Sequence, residues 1–219
     1  MDAASLTAPR VKLEGGGTAL RFPWNGEDVL VRDDSLTALE VAGIFADMDM
    51  PEAEKPGRVV PLLFADPDAA FLVCDYSVAE FGRLIGEAVR QVYGIDASGG
   101  QQRAPLWDPE EDAAVIRTSL RMAYGIDWDA DAPGLPWAEF VALVWSLPRD
   151  TPMGARIWFR NPDNRPKRMR HNANKAEIDE FDRLHRAFRL KQKKGSHDTA
   201  EASNAAMNDL ALAVRAKMG

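Results

Sequence analysis

The sequence predicts a mainly α-helical protein, a compact multi-helix domain with a small N-terminal β-hairpin and a basic C-terminal helix. Three observations lead there. Apolar side chains recur at spacings of three and four through residues 35–48, 77–93, 108–124, 136–147 and 174–188. Those stretches are bounded by residues that start or stop helices, such as Asp108, Gly94 and Gly125. Asn25-Gly26, the best hairpin signal, lies between two short β-favouring segments, Leu20 to Trp24 and Val29 to Arg32. Pro23 cannot donate to a ladder, so the first segment is expected at an edge, giving one hairpin and no extended sheet.

In chain order, residues 1–18 read as a flexible leader, polar and with a triple glycine at 15–17. Residues 19–96 hold the hairpin and the first helices. Asp34 or Ser35 caps a helix with Leu36, Leu39, Ile44, Phe45 and Met48 on its apolar face, and Pro51 ends it. Four prolines between 51 and 67 keep any helices there short. Ser77 and Glu80 form a capping box for a longer helix with Phe81, Leu84, Ile85, Ala88, Val89 and Val92 inward. It stops at Val-Tyr-Gly-Ile-Asp, residues 92–96, and a near copy, Ala-Tyr-Gly-Ile-Asp, recurs at 123–127. A shared helix stop explains both without a duplicated domain.

Residues 97–105 read as a linker, and 106–194 as a second helical region. Asp108, Pro109, Glu110 and Glu111 suit a helix start, with Ala113, Ile116, Leu120 and Tyr124 inward. Pro136 opens a helix in which Trp137, Phe140, Val141, Val144, Trp145 and Leu147 are apolar almost all round, a pattern of burial or of a partner. Asp150-Thr151-Pro152 begins a short segment with Ile157, Trp158 and Phe159. Asn174 and Glu177 cap the last long helix, with Ile178, Phe181, Leu184 and Phe188 on one face. Residues 195–219 read as a flexible tail carrying a weak helical pattern at Met207, Leu210, Val214 and Met218.

The net charge of −7 is uneven: residues 155–194 carry 13 Lys/Arg against 5 Asp/Glu, a local +8, leaving −15 elsewhere. Cys74 stands alone, which excludes an intrachain disulfide and fits a reducing cytoplasm. No apolar run approaches membrane-helix length and no signal peptide is apparent, so a soluble, unexported protein is expected.

Asp127, Asp129 and Asp131 imitate the start of a calcium loop, but Ala132 and Ala138 stand where that loop needs glycine and glutamate. An acidic helix-to-helix turn is the better account. His171, His185 and His197 have no metal-ligand spacing, and a nucleophile pairing with Cys74 rests on residue type alone. Nor do the glycine runs at 15–17 and 99–100 have the context of a phosphate loop; they read as flexible joints. No catalytic, metal or cofactor site is expected. The basic residues Arg156, Arg160, Arg165, Lys167, Arg168 and Arg170, with Trp158 and Phe159 among them, are the feature that could track nucleic acid. An acidic protein partner accounts for them better in a chain of pI ≈ 5.1, and a solvated basic face is the third reading.

The central stretch resembles the tail assembly chaperones of long-tailed bacteriophages and prophages, encoded next to the tape measure protein. The resemblance is carried by Asp108-x-Glu110-x-Asp112, Ile116, Ser119, Tyr124-Gly125-Ile126-Asp127, Leu135-x-Trp137-x-x-Phe140-x-Ala142-Leu143 and Asp150-Thr151. The hairpin, cap and first helix from Trp24 to Leu39 fit too, and the likeness covers about residues 20–190. It implies a non-enzymatic chaperone, cytoplasmic in the bacterial host and absent from the mature virion. Such a protein keeps the helical, aggregation-prone tape measure protein soluble until tail-tube subunits polymerise around it. Trp137, Phe140, Val144, Trp145, Trp158 and Phe159 are the expected contact residues, with ordinary core as the competing account of each. Arg165, Lys167, Arg168 and Arg170 form the expected basic patch, and self-association is a further way to cover an apolar face. The alternative is a nucleic-acid-binding regulator using residues 156–194.

Overall fold

The computed structural model describes residues 9–47, 49–51, 54–94, 106–169 and 174–191. It is mainly helical, with a small antiparallel sheet of three strands in the order β1 (Arg10–Lys12), β2 (Thr18–Trp24), β3 (Glu27–Arg32). The helices are α1 (Ser35–Ala46), α2 (Lys55–Leu63), α3 (Pro67–Leu72), α4 (Val78–Ala88), α5 (Ala113–Tyr124), α6 (Trp128–Asp131), α7 (Trp137–Trp145), α8 (Pro152–Arg160) and α9 (Lys175–Phe188). A single wide π-helical turn, Val89–Tyr93, extends α4. The chain divides into two compact units. One holds the described residues of 9–94 and 130–140; the other holds 106–129 and 141–191.

In the first unit the Asn25-Gly26 turn joins β2 to β3 with φ of 49° and 87°, so that Trp24 pairs with Glu27. The expected lone hairpin gains a third strand. Arg10–Lys12, which the sequence leaves in a leader, pairs with Thr18–Leu20, and the triple glycine is its tight turn. Gly15, Gly16 and Gly17 all have positive φ, and a side chain on Gly17 would press on the Asp34 carboxylate. β2 is therefore central, although it contains Pro23. The Arg21 amide donates to Pro9 on the β1 side, so by strand alternation the Pro23 nitrogen also faces that side and no β2–β3 ladder bond is lost.

Asp34 caps α1 by accepting from the Thr37 amide and hydroxyl. The inward residues are Ala38 and Val41, while Leu36 lies exposed and Ile44 and Phe45 pack partly buried against the core. α1 ends at Ala46, before Pro51. The crowded prolines leave α2 and α3 short, as expected. On α4 and its π turn all six expected residues, Phe81, Leu84, Ile85, Ala88, Val89 and Val92, are buried. With the apolar sides of β2, β3, α2 and α3 they form one core, against which Trp137 and Ala138 also pack.

Gly94 and Gly125 both end their helices in the left-handed region, so the repeated Tyr-Gly is a shared helix stop. The two tyrosines differ: Tyr93 is buried and donates to Arg32 O, whereas Tyr124 is exposed and donates to Leu143 O. α5 begins at Ala113, four residues later than the Asp108 signal implies. Asp108 instead caps a turn, accepting from the Glu110 and Glu111 amides at 2.9 Å. The linker at 97–105 and the tail at 195–219 lie outside the described residues.

Candidate functional site

The second unit is organised around a buried carboxylate. Asp112 sits just before α5 with no side-chain exposure, and α8 supplies its counterions from two successive turns. Arg160 grips both carboxylate oxygens, Arg156 donates to Oδ1 at 2.7 Å, and the Asp108 amide donates to Oδ2 at 3.1 Å. Burial alone would push the Asp112 carboxyl upward, but these hydrogen bonds and charges outweigh it and hold the carboxyl below its ordinary value. The Arg160 guanidinium also donates to Leu106 O at 3.1 Å and to Phe188 O, so one side chain ties together four stretches of chain. The nucleic-acid reading counts Arg156 and Arg160 among its cations; both pair with Asp112, Arg160 buried and Arg156 partly exposed.

α8 starts by a similar division of labour. Its free first-turn amides are met by side chains: Thr151 Oγ1 accepts from Gly154, and the buried Ser119 hydroxyl of α5 accepts from Met153 at 2.9 Å. Gly154 has no room for a side chain, because a Cβ there would fall within 2.9 Å of the Leu147 carbonyl and closer still to that of Pro148.

The acidic turn after α5 is matched by arginines on α5. Asp127 pairs with Arg121 at 2.8 Å and Asp129 with Arg117 at 3.2 Å. With Thr118, Met122 and Trp128 they line a shallow depression of about 370 Å³. Among the described residues no group of three or more His, Cys, Asp or Glu is placed to hold a metal ion.

The six expected contact residues differ in exposure. Phe140 and Val144 are buried. Trp137 is half-buried and stacks near Phe140; its indole N–H donates to Tyr93 O and its amide to Asp33 O. Trp145, 51% exposed, and Trp158, 37% exposed, present ring surface to water. Arg149 lies 4.6 Å over the Trp158 ring and 5.5 Å from that of Phe159. Phe159 is half-buried beneath α9, with Phe181 at 5.6 Å and Phe188 at 6.1 Å. Tyr124, expected inward, and Met122, which the sequence does not single out, are both exposed at the end of α5. The Tyr124 hydroxyl donates to Leu143 O, beside the last turn of α7 that carries Trp145.

The basic patch is also partly consumed. Arg165 makes a forked pair with Asp182 at 2.7 Å on both bonds. Lys167 and Arg168 are exposed, and Arg170 lies outside the described residues. Asn174 does not cap α9 through its side chain. It turns back, accepting from the Met169 amide and donating to Lys167 O, and so pins the loop. His185 Nδ1 lies 2.8 Å from Phe159 O, while His171 and His197 lie outside the described residues. Cys74 is buried, which pushes its thiol pKa up, as expected for a core group.

The residues that carry the sequence resemblance have structural tasks here. Asp112 anchors α8 and Ser119 meets its first turn; Gly125 ends α5, and Thr151 caps α8. No helix among the described residues is long and apolar enough to cross a membrane. No curated protein and no solved structure matches the chain. A family model does match, described as Bacteriophage Gp15 protein, and it takes in residues 22–190, from β2 to just past α9; the chain belongs to that bacteriophage family.

Proposed function

We propose that this chain is a non-enzymatic tail assembly chaperone that binds the tape measure protein of its phage and keeps it soluble until tail-tube subunits polymerise around it. Membership of a bacteriophage family is consistent with that role, and the resemblance described above gives it its specific form. The observation that carries the reading is Trp145. Trp145 has half its surface in water on a helix whose Phe140 and Val144 are buried, and the Tyr124 hydroxyl reaches Leu143 O on the same helix, so this end of the helix offers large aromatic side chains that a partner can bury. An amphipathic helix of the tape measure protein would cover such a surface by laying its apolar stripe along it. Contact then falls to Trp145, Trp158 and Phe159, with Phe140 and Val144 supporting from the core. The working compartment would be the host cytoplasm, and the chaperone would be absent from the finished virion.

The test is co-expression of this chain with an otherwise insoluble tape measure fragment. Soluble fragment that co-purifies with the chain is the expected result. If the fragment stays insoluble beside abundant folded chain, the assignment fails.

A further inference from the structure

The manner in which α9 is held sets it apart from the rest of its unit. It packs along α8, but only Ile178 and Phe181 of its apolar face are buried, and Leu184 and Phe188 are half-buried. Its side-chain ion pairs, Arg165 with Asp182 and Glu180 with Arg183, are exposed and therefore screened. Its N-cap side chain serves the preceding loop, not the helix. By contrast α5 and α8 are joined through a fully buried Asp112 and a buried Ser119. The face beneath α9 is aromatic and cationic: Phe159 lies between Phe181 and Phe188, Arg149 approaches the Phe159 ring, and Arg160 offers a donor to the carbonyl that ends α9.

We propose that α9 is a placeholder: in the free chain it occupies the aromatic face of α8, and it yields that face to a partner helix of the same chemistry. The occupant on view defines what the face accepts. It is an amphipathic helix with apolar residues spaced Ile-x-x-Phe-x-x-Leu-x-x-x-Phe, as in 178–188, a carboxylate one residue after the first aromatic to meet Arg165, and a free terminal carbonyl for Arg160. The partner helix gains the face only by competing with α9, so affinity in the full chain reports both contacts and displacement. The inference deepens the reading above and rests on it only for the partner's identity.

The probe is a labelled synthetic peptide of residues 174–191, added to the full-length protein. Phe181→Ala weakens the chain's own α9 and leaves α8 intact, so this variant is expected to bind the peptide at least tenfold more tightly than wild type. A peptide with both phenylalanines replaced by alanine should bind neither. In wild type, excess peptide should speed hydrogen exchange of the 175–188 amides while those of 113–124 stay protected. Equal or absent binding by the two proteins overturns the proposal, as does exchange in α9 that rises only together with α5. Should Phe181→Ala lose protection across α5, the wild-type exchange experiment decides alone. A tape measure fragment that binds without raising α9 exchange overturns the placeholder and leaves the chaperone standing. Displacement by the peptide with no binding of the fragment does the reverse.

Discussion

Asp112 lies wholly out of water and carries a charge, which is tolerable only because Arg156, Arg160 and the Asp108 amide answer both its oxygens. Removing the carboxylate strands two arginines, one of them buried. Asp112→Ala should therefore lower unfolding free energy by about 3–5 kcal/mol, read from urea titrations followed by tryptophan fluorescence. The pH dependence has a definite sign. The carboxyl titrates lower in the folded than in the unfolded chain, so its stabilisation is complete above the ordinary carboxylate range and fades as pH falls through the folded value. The urea midpoint of wild type should thus drop more steeply on acidification than that of Asp112→Asn, whose side chain does not titrate. Parallel acid limbs would contradict this. The sequence revealed the ingredients of this site and not their use. Asp108, Asp112, Arg156 and Arg160 are separated by up to 52 positions, and nothing local marks Asp112 as buried. Read by composition, the two arginines count as part of a basic arm; read by contact, they are the counterions of Asp112.

The helices were legible where a stop or cap coincided with a clean apolar stripe. α4 shows this best, from the Ser77 cap through six buried positions to Gly94. α1 shows the limit: small Ala38 and Val41 face the core and Leu36 faces water, because close packing selected the smaller side chains over the larger. α5 starts late because Asp108 and Asp112 each have a stronger task than capping at the expected place. β1 was invisible for another reason: three residues carry little periodicity, and their pairing depends on a distant strand. Two glycines test the account at this scale. Gly154→Ala should cost about 3 kcal/mol or more by overpacking, since the added methyl meets backbone at Pro148 and Leu147 that cannot rotate away. Gly125→Ala meets open space, and its cost is only that of a left-handed alanine, about 1 kcal/mol. Thermal unfolding should rank Gly154→Ala well below Gly125→Ala; the reverse order would mean that the start of α8 is not held as described.

At the scale of the whole molecule, the acidic body and basic arm of the sequence become a less polarised protein. Arg156, Arg160 and Arg165 are committed to Asp112 and Asp182, so the surface available to a polyanion is smaller than the local charge implies. Electrophoretic shifts of random-sequence DNA should accordingly be absent at physiological salt, and a tight shift abolished by changing Lys167 and Arg168 would restore the nucleic-acid reading. What the molecule does offer is exposed aromatic surface at Trp145 and Trp158. Replacement of Trp145 by alanine should leave the urea midpoint nearly unchanged, whereas that of Trp158 should lower it modestly, because Arg149 covers part of its ring. The measurement that bears most directly on the chaperone reading is light scattering after a purified tape measure fragment is diluted from denaturant into this protein. Wild type should suppress scattering at near-stoichiometric ratio, and the Trp145→Ala, Trp158→Ala double variant should need several-fold more protein for the same effect. Scattering that is identical with and without folded wild-type chain would contradict that reading.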